Sequence, residues 1–319
     1  MKVGIVGAGI SGLACASRLA EKGIGVALYD KGKRPGGRLS TLQLDGRTWD
    51  FGAQFIEQGQ GAFALQIANW RQAGVIEPWP AGPPGALVGV PTMARLVTEM
   101  AAHHDVRFAT QVTRLTRTGG GWQLGGPGLD DGPFDALVLA IPAEQAAPLL
   151  SLHDLSMARE AAAIRSRACW TVMAAFSERV SAPDVVADSP PLALAARDSS
   201  KPGRADSECW VIQADAAWTA AHLERDAGWV AEALLEAFAD QCAAPLPPHT
   251  FLKAHRWRFA APHGHAARPL WNAQLRLGAC GDWCAAPDVG GAWNAGTELV
   301  ERMIGNWAGV EAAEAVLAK

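Results

Sequence analysis

Tyrosine is almost missing from this sequence: Tyr29 stands alone beside 13 tryptophans and 9 phenylalanines in 319 residues. A binding cage walled by paired tyrosine rings is thereby excluded. Cysteine occurs, but never as C-x-x-C: Cys15, Cys169, Cys209, Cys242, Cys280 and Cys284 are scattered through mostly apolar segments. That spacing excludes a zinc ribbon and a disulfide framework, and it reads as free thiols in a reducing cytoplasm. No run of about 18 apolar residues occurs, so no membrane span is expected. Charge is sparse, at 19% of residues with a net of −4, which argues against a general nucleic-acid binder. There is no Ser–His–Asp order, no metal-ligand cluster and no conspicuous carboxylate pair.

What is present starts at the N-terminus. Lys2 to Val6 is a β-branched apolar run without polar alternation, the pattern of a strand buried on both faces. Gly7-Ala8-Gly9-Ile10-Ser11-Gly12 follows as a G-x-G-x-x-G turn, then a helical stretch over 13–22 and a second buried strand over 26–29 that delivers Asp30. In such a turn Gly7 permits the tight bend, Gly9 lets a pyrophosphate approach the backbone, and Gly12 lets helix and strand pack closely. The helix N-terminus offers free N–H groups to phosphate, and Asp30 is placed to accept from ribose hydroxyls. The glycines at 4, 7, 9 and 12 also break what would otherwise resemble an export leader.

Downstream, Lys31 and the loop Pro35-Gly36-Gly37-Arg38 place an arginine fork beside the phosphate turn. Residues 42–50 read as a hairpin around Asp45-Gly46, running into Phe51-Gly52-Ala53-Gln54, whose small residues let backbone pass close to a flat ring. Helices are expected over 62–73, over 91–102 with Pro91 in the first turn, over 226–241 and over 292–304. Strands are expected over 106–109, 112–115, 122–124, 134–141, 169–176, 192–197, 208–214, 250–259 and 275–280, with a glycine-rich turn over 125–132. Parallel α/β texture covers the N-terminal half, mixed α+β texture covers 149–270, and the end returns to the first domain. Near the end, Gly281-Asp282 on a strand-to-helix turn, followed by Gly291, forms a second clamp. Asp282 is placed there to accept from a ribityl hydroxyl, with the helix N-terminus placed to face a developing negative charge.

Alternation puts His255 and Trp257 on one face of a strand and Arg256 and Arg258 on the other. The first face either looks towards a bound ring or packs into the core. Arg197, Lys201 and Arg204 either hold substrate phosphates or shape a turn, and Pro202-Gly203 favours the turn. Trp170, Trp210, Trp283 and Trp293 either line a pocket or fill the core.

Together, Gly7 to Gly12, Asp30, Gly36-Gly37-Arg38, Gly52-Ala53-Gln54 and Gly281-Asp282-Trp283 resemble an FAD protein of the amine-oxidase-like clan. The segment 194–204, Ala254-His255-Arg256-Trp257, and Cys280-Gly281-Asp282-Trp283-Cys284 followed by Gly291-Ala292-Trp293 resemble the bacterial renalase family. The resemblance runs over residues 1–304. It implies an α/β fold, a Rossmann-type FAD-binding domain (1–55, 88–148 and 271–319) with an inserted α+β substrate domain (56–87 and 149–270) carrying an antiparallel sheet, as in p-hydroxybenzoate hydroxylase. It implies non-covalent FAD held by Gly7, Gly9, Ile10, Ser11, Gly12, Asp30, Lys31, Gly37, Arg38, Gly52, Ala53, Gln54, Val112, Gly281, Asp282, Gly291, Ala292 and Trp293. The implied reaction takes hydride from 2- or 6-dihydro-NAD(P), the misreduced isomers of NAD(P)H, to flavin N5. O2 then reoxidises the flavin and gives H2O2. His255, Trp257, Arg197 and Trp293 are the residues assigned to the substrate side.

One departure is Thr92 in Gly89-Val90-Pro91-Thr92-Met93, where relatives often carry a second glycine. The alternatives are an FAD-dependent amine oxidase or desaturase acting on a small amine, or a flavin-binding regulator without turnover. The expected partners are the small substrate and O2, with no nucleic acid, membrane or metal, in a cytoplasmic monomer or weak homodimer.

Overall fold

The run Lys2–Val6 forms the centre of a six-stranded sheet, flanked in parallel register by Gly25–Tyr29 on one side and Ala136–Leu139 on the other. Both faces of the central strand are covered, which is why the segment carries no alternation. Val106–Arg107 extends the sheet beyond Gly25–Tyr29, and Leu277–Ala279 then the antiparallel Leu270–Asn272 extend it beyond Ala136–Leu139. This is a computed structural model, and it describes residues 1–264, 266 and 268–317. Positions 265, 267, 318 and 319, all inside the domain segments expected above, lie outside the described residues.

The chain divides into two units. The first comprises Met1–Gly37, Val97–Arg165 and Pro262–Lys319; the second comprises Arg38–Leu96 and Ser166–Ala261. In the first unit, helix Ile10–Glu21 packs against helix Val289–Leu317 almost backbone to backbone: a Cβ on Gly296 would stand 2.2 Å from the Ser11 carbonyl oxygen. A three-stranded antiparallel meander, Arg114–Thr118, Gly121–Gly126 and Leu129–Phe134, belongs to the same unit. The lone Tyr29 is consumed here. Its hydroxyl donates to Asp131 at 2.5 Å, and burial together with that carboxylate pushes its pKa up.

The second unit is built on a five-stranded sheet in the order Val185–Ser189, Leu192–Arg197, Glu208–Ala214, Arg165–Phe176, His249–His263. Alternation sorts its side chains. Trp170, Val172, Ala174 and Phe176 meet Trp210, Ile212 and helix Ala227–Ala239 on one face; Met173 and Ala175 meet Trp49, Cys209 and Val211 on the other. Trp49 is fully buried there and donates its indole N–H to the Ala174 carbonyl. That packing is why residues 38–55 cluster with this unit, although their texture grouped them with the first.

Several elements differ from expectation for local reasons. Residues 125–132 are not an open turn: Gly125 and Gly126 pair in register with Asp130 and Leu129, and only positions 127–128 reverse the chain. Glycine is needed because a Cβ at 126 would lie 2.0 Å from the Gln111 carbonyl oxygen. Pro91 is not in a first helical turn. The helix begins at Ala94, because the Met93 N–H is drawn to Asp50 and the Ala94 N–H to Thr41. Helices Ala143–Leu150, Leu155–Ala163 and Ala216–Ala221 and strand Val185–Ser189 were not anticipated. No helix among the described residues is long and apolar enough to cross a membrane.

The crossing of the two long helices yields a paired test. Gly296→Ala forces a methyl into the Ser11 carbonyl and is expected to cost about 1–3 kcal/mol. Gly305→Ala, on the same helix with nothing within 4 Å, is expected to gain about 0.4–1 kcal/mol. Chemical denaturation of both variants checks the opposite signs.

Candidate dinucleotide and ring-binding residues

The three glycines of the N-terminal turn are required for different reasons. Gly7 sits at φ +107, and a Cβ there would meet the Ala140 carbonyl oxygen at 2.3 Å. A Cβ on Gly12 would meet the Gly7 carbonyl oxygen at 2.0 Å. Both are therefore fixed by the chain's own packing. Gly9 has no such reason: its φ is −78 and nothing lies within 4 Å of a built Cβ. It caps helix Ile10–Glu21, and no side chain caps that N-terminus. An open approach to uncapped backbone N–H groups is the geometry a pyrophosphate requires. A Cβ built on Gly37, at φ +52, would stand 3.8 Å from the Gly9 Cα, so the second glycine loop lies close to Gly9.

Asp30 closes this turn from within. Its carboxylate accepts from the Ala8 N–H and the Gly32 N–H, each at 2.7 Å. A carboxylate has about four acceptor positions, so these two contacts leave further acceptor capacity on Asp30. Ser11 donates its hydroxyl to the Cys280 sulfur at 3.3 Å, and burial pushes that thiol up to about 12, so it stays protonated. Ile10 and Val112 are buried, and the Lys31 ammonium donates to Gln145. The C-terminal clamp is also built. Trp283 donates its indole N–H to the Ile141 carbonyl, and Asp282 is buried. The helix starts at Val289, earlier than expected, because Asp288 accepts from the Gly291 N–H at 2.6 Å. A Cβ on Gly291 would meet the Ala286 carbonyl oxygen at 2.1 Å, while Ala292 and Trp293 are buried in the following turn.

In the second unit, Phe51, His255 and Trp257 form an aromatic trio. Phe51 stacks on Trp257 at 5.3 Å, and His255 stands edge-on to Phe51 at 5.0 Å and to Trp257 at 4.4 Å. Trp257 donates its indole N–H to the Phe51 carbonyl. Burial, then the Lys253 charge, pushes the His255 pKa down, so its imidazole is neutral at neutral pH. Arg256 and Arg258 are on the other face, both paired with Glu224.

Beside this trio is a fully buried ionic cluster. Asp50 accepts from Thr41, the Met93 N–H, Lys201 at 3.2 Å and Arg204 at 2.5 Å. Asp198 accepts from Lys201 at 2.6 Å and from the Asp50 N–H. Burial alone would push the Asp50 carboxyl up, but Lys201 and Arg204 outweigh it and hold it low. Asp198 goes the other way: burial and the Asp50 charge raise it. Arg204 also donates to the carbonyls of Gly89, Pro91 and Pro202.

Lys201 and Arg204 are thus committed to buried partners, so the phosphate-holding reading of this segment gives way to a clamp. Arg197 is placed elsewhere. It pairs with Asp184 and Glu208, donates to the Val180 and Ala182 carbonyls, and lies over Trp210, which makes it a structural cation and removes it from the substrate side. Trp170 and Trp210 are core residues. Asp50 itself was missed; the signal was a lone acid between Trp49 and Phe51 in an otherwise apolar stretch. Among the described residues, no group of side chains is arranged to hold a metal ion.

Comparison with known proteins agrees with this geometry. Residues 5–65 match the NAD(P)-binding Rossmann-like domain. A zeta-carotene-forming phytoene desaturase of Myxococcus xanthus is 47% identical over 55 residues, which is 17% of this chain and only 11% of the desaturase. Among solved structures, the cyclohexylamine oxidase of Brevibacterium oxydans superposes with a TM-score of 0.73 at 12% identity, covering 95% of this chain and 98% of the oxidase. Putrescine oxidase bound to putrescine superposes at 0.63 with 15% identity over 96% of this chain and 99% of that one. The chain therefore has a Rossmann-type dinucleotide-binding domain at its N-terminus and, over nearly its whole length, the fold that these oxidases share.

Proposed function

We propose that the protein is an FAD-dependent oxidase that takes hydride from 2- or 6-dihydro-NAD(P), releases NAD(P)+ and passes the electrons to O2 as H2O2. The observation that carries the cofactor is Gly9, a glycine with no internal reason to be one, opening onto an uncapped helix N-terminus. Gly7, Gly9, Gly12, Asp30, Gly37, Asp282 and Gly291, all in the first unit, would hold the dinucleotide. FAD supplies, when bound, a two-electron acceptor for hydride. The same proposal includes a cytoplasmic enzyme, monomeric or weakly dimeric.

The aromatic trio supports the dihydropyridine substrate. Phe51, His255 and Trp257 offer a half-buried aromatic surface, with Phe51 and Trp257 stacked and His255 edge-on to both, against which a planar ring would pack. A dihydropyridine gains a positive charge as it gives up hydride and regains aromaticity, so it needs no strong base. A neutral His255 does not oppose that charge, whereas an imidazolium would. The second reading is oxidation of a small amine, and the shared fold with cyclohexylamine and putrescine oxidases favours it.

Anaerobic rapid mixing of the flavin-loaded protein with 2-dihydro-NAD, 6-dihydro-NAD, ordinary 4-dihydro-NAD and a panel of amines separates the two. Fast bleaching of the flavin band near ~450 nm is expected only with the 2- or 6-isomer. Bleaching by an amine, with both isomers inert, overturns the proposal. For the cofactor site, Gly9→Ala is expected to weaken FAD retention by at least about tenfold. The apoprotein should lose no more than about 1 kcal/mol, since only the helix cap changes. Flavin content per chain and apoprotein melting measure the two effects separately.

A further inference from the structure

Two leucines stand out of the first unit on one short turn: Leu152 and Leu155, with relative exposures of 83% and 63%. The two residues between them are anchored inward. His153 donates through Nε2 to the Leu115 carbonyl at 3.1 Å, and its ring stands edge-on to Trp122 at 4.9 Å. Asp154 caps helix Leu155–Ala163 by accepting from the Ser156 and Met157 N–H groups, and it also accepts from the Asn272 amide at 2.7 Å. The turn that follows helix Ala143–Leu150 is therefore fixed, and it presents both leucines to solvent.

Asp154 also lines an open cavity of ≈ 430 Å³, whose apolar wall includes Met157, Leu270 and Trp271. Three more charged side chains reach this cavity: Glu160, Arg268 and Arg302. Asp154 is committed to its cap, and Arg302 donates to the Pro269 carbonyl. Glu160 and Arg268 are exposed, and among the described residues neither has an ion-pair or hydrogen-bond partner. One acid and one base are thus left over beside the leucine turn, and all of these groups belong to the first unit.

A free acid, a free base, a protruding apolar pair and an adjoining cavity together form a surface complementary to its own twofold image. We propose that this face pairs two copies of the chain: the leucine turn of each copy enters the cavity of the other, and Glu160 of each meets the partner's Arg268. A twofold axis uses every contact twice, so contacts that are modest singly support association. Because His153 and Asp154 already fix the turn, pairing has little backbone left to order. A small zwitterion such as a free amino acid would satisfy Glu160 and Arg268 but leave both leucines in water, whereas a second copy covers all four. The proposal is independent of the FAD reading.

Sedimentation velocity of the full chain over a range of concentrations tests it through a charge exchange. The wild type is expected to show a concentration-dependent dimer. Glu160→Arg alone and Arg268→Glu alone each turn two attractive contacts into two repulsive ones, so each should weaken the dimer by about tenfold or more. An equimolar mixture of the two variants should dimerise again, because a mixed pair carries opposite charges at both contacts. The chain bearing both substitutions should dimerise for the same reason. Leu152→Asp should also weaken the dimer by at least about tenfold. All three positions are exposed, so the melting temperatures of the monomers should stay close to one another. A wild type that is monomeric at about 100 μM would overturn the proposal. So would a dimer that none of the variants weakens, or single variants that fail to pair on mixing. A monomeric wild type whose melting temperature rises with added leucine would replace the second copy with a zwitterionic ligand.

Discussion

A carboxylate with none of its surface in water costs several kcal/mol unless donors surround it, and the second unit is arranged around meeting that demand at Asp50. Its donors come from a hairpin residue, Thr41; from the start of a helix, Met93; and from a turn more than a hundred positions away, Lys201 and Arg204. With Asp198 the cluster holds two acids and two bases, so its charge closes within itself. The neutrality is local, but its consequences reach further. Arg204 secures the carbonyls of Gly89 and Pro91, and Gln54 secures those of Asp50 and Gly52, so two loops share one electrostatic origin. Buried ion pairs seldom add net stability over apolar packing, and their best-attested use is to fix one arrangement among several. This cluster is of that kind: it holds loops.

The first unit uses crowding where the second uses charge. Its key approaches are backbone against backbone: Gly7 on Ala140, Gly12 on Gly7, Gly296 on Ser11. Each forbids a side chain because the protein itself occupies the space. Gly9 differs from these three: nothing lies within 4 Å of a Cβ built on it, and it stands at a helix end that no side chain caps. A glycine required by packing reports on the fold, and Gly9 is not required by packing.

Much of this was legible in the sequence, and the successes share a cause. The dinucleotide turn, the hairpin reversal at Asp45-Gly46, and the strands Leu192–Arg197 and Glu208–Ala214 are all set by local pattern. What the sequence hid is set by distant partners. Asp50 looks like any acid after a tryptophan until Lys201 and Arg204 fold onto it. Arg197 looked like a ligand-binding cation because Asp184 and Glu208, which neutralise it, are not adjacent. Residues 125–132 read as a loop because glycine signals turns, yet here it relieves close contact within paired strands. The helix Ala143–Leu150 carries an internal proline, Pro148, which masks its helical pattern.

His255 is where the two substrate readings make different demands. A small amine exists mostly as an ammonium at neutral pH and must lose a proton before hydride can leave, so its oxidation calls for a competent proton acceptor. Burial and Lys253 lower the basicity of His255 and leave it in the neutral form. Asp50 and Asp198 cannot substitute, because their oxygens are buried and held by Lys201 and Arg204. A dihydropyridine makes the opposite demand: it carries no proton to remove, and it needs its surroundings to leave room for positive charge. The same burial keeps His255 uncharged. Burial and the Lys253 charge thus keep the imidazole of His255 uncharged beside Phe51 and Trp257.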